Sequence, residues 1–176
     1  MKAELITIGD ELLIGQTIDT NGSWLAEQLN LLGITVSQIS SIRDNREHII
    51  SSLQNAQSRS ELVILTGGLG PTNDDITKST LCEFFDSELV LNEQVLEKIE
   101  AYFNSRSLKM IKVNSDQAML PNNCQYLKNE RGTASGMWFK KDGVDFISLP
   151  GVPYEMKGIF LDEILPVLKA QYSIST

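Results

Sequence analysis

Histidine and cysteine are nearly missing from this chain of 176 residues, which holds one of the first and two of the second. A histidine-rich zinc centre is therefore excluded, and a Ser-His-Asp triad could draw only on His48. His48 stands in the polar helical stretch REHIISSLQNA, where a surface position is expected. Cys82 and Cys124 lie far apart with no C-x-x-C spacing, so two reduced structural thiols are expected rather than a disulfide framework. No apolar run approaches the roughly 20 residues of a membrane span, and the start MKAELITIGDELL has no cleavable leader pattern. An excess of basic charge is missing too. Fifteen Lys and Arg stand against 23 Asp and Glu, a net charge of -8. That balance speaks against a nucleic-acid or anionic-membrane surface. The expected compartment is the cytoplasm.

What is present is ordinary for a globular domain: 41% hydrophobic and 22% charged residues. This length builds one self-sufficient core. Short β-rich runs alternate with helical ones. Residues 3–8 (AELITI) read as a first strand. Asp19–Thr20–Asn21 then supply a helix cap ahead of Trp24, Leu25, Leu29 and Leu32 at helical spacing, and Gly33 closes that helix. Residues 34–42 read as a strand and 47–58 as a helix. Residues 62–65 (LVIL) form a continuous apolar run, the mark of a strand buried on both faces. Helices are expected over 75–85 and after Asn92, where Val95, Ile99, Tyr102 and Phe103 repeat. Residues 136–140 and 144–149, joined by Lys141–Asp142–Gly143, read as an antiparallel hairpin or edge. A last helix begins near Pro153, and Pro166 is expected to break or restart it. The strand-helix alternation predicts an α/β fold, a three-layer α/β/α sandwich with a mostly parallel sheet. The expected boundaries are one domain over 1–170 and a tail over 171–176.

In such sheets ligands sit beyond the carboxyl ends of the strands. Three of those ends carry unusual residues: Gly9–Asp10–Glu11, the segment TGGLGPTNDD from Thr66 to Asp75, and Pro150–Gly151–Val152–Pro153–Tyr154–Glu155. Three glycines in four positions let backbone amides approach an anion, and the helix behind them adds further amides and a partial positive charge. The loop is neither a Walker A motif nor a dinucleotide fingerprint. A plain strand-to-helix turn would use the same glycines. Asp74 and Asp75 repel a bare phosphate, so an anion site there calls for a cation such as magnesium. They equally suit a helix cap and its dipole. Asp10, Glu11 and Glu155 have the simpler reading of solvated loop or first-turn acids.

Together, GDELLIGQTIDTN (9–21), TGGLGPTNDDITK (66–78), NSDQAMLP (114–121), GTASG (132–136) and LPGVPYEM (149–156) resemble the CinA family. More broadly they are similar to the molybdopterin-binding (MoaB/Mog-like) domains. The resemblance spans nearly the whole chain. It departs at Ser135, where the family often has Pro, and at Arg43–Asp44, where it often has Gly-Asp. It implies a pocket for a phosphorylated pterin, with molybdopterin as ligand, or metal-dependent cleavage of ADP-ribose or a similar nucleotide. By the same resemblance, Gly67, Gly68, Gly70 and Thr72 would cradle phosphate. Thr66, Pro71, Asn21, Gly132, Thr133, Pro150, Gly151 and Glu155 would bind the substrate. Asp74, Asp75, Asp10 and Glu11 would act in catalysis, with Asp74 and Asp75 holding a divalent Mg, Mn or Co ion. A homo-oligomer is also implied. The C-terminal amidase domain typical of the family has no counterpart in these residues.

Overall fold

A computed structural model describes residues 1–71 and 76–172. In chain order it contains β1 (Lys2–Ile8), α1 (Asp10–Leu13), α2 (Thr20–Leu31), β2 (Thr35–Ile42), α3 (Arg46–Gln57), β3 (Leu62–Thr66) and α4 (Thr77–Phe84). There follow β4 (Leu89–Leu91), α5 (Glu93–Ser105), α6 (Lys112–Ser115), β5 (Met119–Pro121), β6 (Gln125–Leu127), β7 (Gly136–Lys141) and β8 (Val144–Leu149). Two helices close the chain, α7 (Pro153–Ile159) and α8 (Leu165–Tyr172), joined by a π-helical turn over Phe160–Ile164.

The main sheet has six strands in the order β2-β1-β3-β8-β7-β6. β2, β1, β3 and β8 run parallel, and β7 and β6 complete the sheet by antiparallel pairing. Successive side chains in the central strands enter opposite cores. Leu62 and Ile64 of β3 join Leu5, Ile147, Leu149 and Phe160 on one face. Val63 and Leu65 join Ile6, Phe139 and Phe146 on the other. Both faces are dry, which is why residues 62–65 are apolar without interruption. On the second face Phe85 and Phe139 stack at 4.0 Å between ring centroids.

Local chemistry sets the element ends. Asp19, Asn45 and Asn92 each accept a hydrogen bond from the backbone amide three residues on, the usual N-cap bond. Asp142 and Gly143 both have positive φ, giving the two-residue turn that joins β7 to β8. The expected hairpin is present, but β8 lies inside the sheet beside β3. The outer edge is β6, a three-residue strand without a readable pattern. A separate two-stranded ribbon, β4 with β5, also escaped the sequence. Pro166 restarts the last helix after the π turn, as its missing amide requires.

Candidate functional site

β1, β3 and β8 end side by side: Thr7 pairs with Thr66, and Thr66 with Leu149. The loops leaving these strands meet on one rim. Asn21, in the first turn of α2, donates through Nδ2 to Thr66 Oγ1 at 3.1 Å and to the Gly151 carbonyl at 2.9 Å. Thr66 Oγ1 in turn donates to the Pro150 carbonyl at 3.0 Å. The Gly67 amide donates to the Leu149 carbonyl at 3.0 Å. A seam of four hydrogen bonds therefore joins three chain segments. Asn21 Oδ1 is buried and has no partner among the described residues.

Gly67 and Gly68 cannot be other residues without disturbing this seam. Gly67 has φ +113°, and a Cβ there would lie 2.2 Å from the Ile8 carbonyl oxygen. Gly68 has φ +69°, and its Cβ would lie 1.8 Å from Thr77 Oγ1. The tight turn also decides which amides are open. Gly67 is engaged with Leu149, whereas the amides of Gly68, Leu69 and Gly70 find no acceptor among the described residues. Three consecutive open amides follow the end of a central strand. Gly70 and Pro71 are exposed beyond them.

Beside the seam, between α1 and α2, lies a cavity of about 110 Å³ whose walls include Thr7, Ile8, Glu11, Ile18, Asn21 and Thr66. The chain closes it by folding back: the amides of Gln16 and Thr17 donate to the Glu11 carbonyl. The Glu11 side chain lies over Gly9, whose Cβ would meet its carboxylate at 2.4 Å. Asp10 is exposed at the start of α1 and is not part of the cavity wall.

The opposite flank of the rim carries Glu155, three residues into α7. Its carboxylate accepts from Asn129 Nδ2 at 2.7 Å. Asn129 also donates to the Ala134 carbonyl at 2.7 Å and accepts from the Arg131 amide at 2.9 Å. The segment Gly132–Thr133–Ala134 is thus folded onto Glu155, so closely that a Cβ on Gly132 would meet the carboxylate at 2.4 Å. Burial pushes the Glu155 carboxyl above the usual carboxylate range, against the smaller downward pull of the Asn129 bond. Asn129, 3% exposed, was not singled out from sequence. The turn composition of Lys128–Asn129–Glu130–Arg131–Gly132 is the signal that points to it.

The structure gathers Asn21, Thr66, Gly67, Pro150 and Gly151 in the seam, sets Gly68 and Gly70 beside them, and puts Glu11 in the cavity. Gly132, Thr133 and Glu155 form a neighbouring flank. Thr72, Asp74 and Asp75 lie outside the described residues. Among the described residues no group of three or more His, Cys, Asp or Glu side chains gathers to hold a metal ion. Asn114, by contrast, is a local cap, its Oδ1 accepting from the Ile111 amide at 3.1 Å.

Residues 4–170 match the family model described as "Probable molybdopterin binding domain". The chain belongs to that family, in its CinA-like branch. A CinA-like protein of Flavobacterium psychrophilum is 51% identical over 98% of this chain. Another from Cytophaga hutchinsonii is 52% identical over 97%. In both cases the chain spans 41% of the relative's length. The crystal structure of CinA from Thermoplasma acidophilum, described there as of unknown function, superposes with TM-score 0.82 at 30% identity, covering 91% of this chain and 94% of that one. The molybdopterin biosynthesis enzyme MoaB of Thermus thermophilus superposes with TM-score 0.65 at 20% identity over 98% of this chain and 94% of that one, a likeness of fold alone. No helix among the described residues is long and apolar enough to cross a membrane.

Proposed function

We propose that this CinA-like domain is a binding module for a small phosphorylated ligand, a molybdopterin-type pterin or a nucleotide, held across the ends of β1, β3 and β8. The observation that carries the reading is the row of open amides at Gly68, Leu69 and Gly70, fixed in place by the hydrogen-bonded seam at Asn21, Thr66 and Gly151. Backbone amides that lack an internal acceptor, set ahead of a helix, suit phosphate oxygens. The seam holds the turn before the ligand arrives, so less ordering cost falls on binding. Metal-dependent hydrolysis of ADP-ribose would rest on Asp74 and Asp75. Among the described residues no cluster of acids takes their place. A cytoplasmic homo-oligomer fits the family, and light scattering of the purified chain reads its mass.

Titration calorimetry with inorganic pyrophosphate and with ADP-ribose tests the proposal. The expected result is saturable binding of both, lost in Gly68→Val while that variant keeps a cooperative unfolding transition. Absence of pyrophosphate binding overturns it. The same ADP-ribose samples are incubated with magnesium, manganese or cobalt. Release of AMP would replace the binding module with a hydrolase.

A further inference from the structure

Four strands lie at a sheet edge: β2 and β6 in the main sheet, β4 and β5 in the ribbon. Open edges invite pairing with another chain, and proteins blunt them with polar residues, proline or a covering element. β2 carries Ser37, Gln38, Ser40 and Ser41. β6 runs from Gln125 into Lys128 and Glu130. β5 is closed by its own surroundings. Pro121 has no amide to offer and its carbonyl takes the Cys124 amide. The Met119 amide donates to the Asp116 carbonyl, and the Met119 carbonyl takes Lys78 Nζ at 2.9 Å. β4 has none of these protections: Leu89, Val90 and Leu91 are 40%, 45% and 50% exposed.

The register shows which β4 groups point outward. The Asn122 amide donates to the Glu88 carbonyl, and the Asn92 amide to the Ala118 carbonyl. Between them lie the pairs Leu89–Pro121, Val90–Leu120 and Leu91–Met119. In an antiparallel ladder, hydrogen-bonded pairs alternate with pairs that are not bonded. Glu88, Val90 and Asn92 therefore hold the bonded positions, and Leu89 and Leu91 turn their N–H and C=O groups away from β5. Pro121 opposite Leu89 agrees, since proline fits where the ladder asks for no N–H. These four outward groups find no partner among the described residues.

We infer that β4 is a self-pairing edge, on which a second copy of this chain lays its own β4 antiparallel about a two-fold axis through Val90. With the axis there, Leu89 faces Leu91 of the second copy and Leu91 faces its Leu89. Every outward group of both strands is then used, in four hydrogen bonds. An axis at Leu89 would set Leu91 against Ser87, whose amide is already given to the Cys82 carbonyl. An axis at Leu91 would set Leu89 against Glu93, which is already helical. The two Val90 side chains meet at the axis as a close cross-strand pair. Glu88 falls opposite the neutral Asn92 of the second copy, so no like charges are opposed. Strands of three residues bury less than the roughly 1,200 Å² of a stable interface, so the dimer is a weak one. Each copy carries a net charge of -8, and salt that screens it strengthens the association. The pairing needs no ligand at the rim.

Sedimentation equilibrium over about micromolar to millimolar protein reads the association. A reversible monomer–dimer equilibrium is expected, tighter at high salt than at low. Val90→Lys and Val90→Glu, at an exposed position, each set like charges on the axis and are expected to weaken the dimer about tenfold or more. Mixing the two variants is expected to restore it, because lysine then faces glutamate. Leu91→Pro removes an N–H that no group within the chain uses, and is expected to abolish the dimer while the variant still unfolds cooperatively. A chain that stays monomeric throughout overturns the inference, whether β4 then serves a different protein or none. So does a trimer, since one strand edge cannot pair with itself about a three-fold axis. A dimer that withstands Val90→Lys, or a mixture of the two charged variants that stays monomeric, overturns it as well.

Discussion

Two neighbouring stretches of backbone at the rim have opposite hydrogen-bond states. In the seam, the Asn21 amide nitrogen, the Thr66 hydroxyl and the Gly67 amide all donate within the protein. One residue further on, the amides of Gly68, Leu69 and Gly70 have no acceptor among the described residues. The lesson lies in the adjacency. An unsatisfied amide is costly when it is buried away from water, and useful when it is held where a ligand can reach it. The closed stretch holds the open one in shape.

The largest blow to that contrast is Gly67→Ala. Its Cβ would press on the Ile8 carbonyl, a backbone atom that cannot swing aside, and the positive φ adds strain. A loss of about 3 kcal/mol is expected from strain and overpacking together, read from the urea unfolding midpoint. Next comes Asn21→Ala, which leaves the Gly151 carbonyl to water and is expected to cost about 1 kcal/mol. Asn21→Asp sharpens the test: it sets a carboxylate against a carbonyl and should be worse than alanine in the same assay.

A smaller effect is expected on the other flank, at Glu155. Its folded pKa is raised by burial, so the fold favours the protonated form. The resulting contribution is complete below the ordinary carboxylate pKa and is lost as pH rises through that value toward the raised one. Glu155→Gln should therefore flatten the stability profile in that window, as measured by unfolding at stepped pH. The smallest effect is a control far from the rim. Burial pushes the Cys124 thiol up to about 11, so at pH 8 its alkylation should run about a hundredfold slower than that of an ordinary exposed thiol and recover in urea. Labelling that proceeds equally fast in both conditions would count against the burial described for it.

Much of the framework could be read before any coordinates. The apolar run at 62–65, the caps at Asp19 and Asn92 and the turn at Asp142–Gly143 are local devices, and local chemistry is visible in a single chain. The ribbon of β4 and β5 was not visible. Its strands are three residues long, and Leu89, Val90 and Leu91 are all exposed, so neither alternation nor continuous burial marks them. At the site, the glycines and the Pro150–Gly151 loop stood out by composition. Composition alone made Asn21 one more residue at a helix start, and only the family resemblance set it among the ligand-binding residues. Its bonds reach 45 and 130 residues along the chain, a distance no spacing rule covers. Asn129 escaped for the same reason, since its meaning comes from Glu155, 26 residues on.

The widened turn at Phe160–Ile164 carries one residue more than a regular helix would need between α7 and α8. Ile159 before it and Leu168 after it are nevertheless both in the core. The surplus residue is thus absorbed locally instead of rotating everything downstream. Excising a single exposed residue such as Leu161 should restore regular winding there and leave both flanking apolar stripes facing inward.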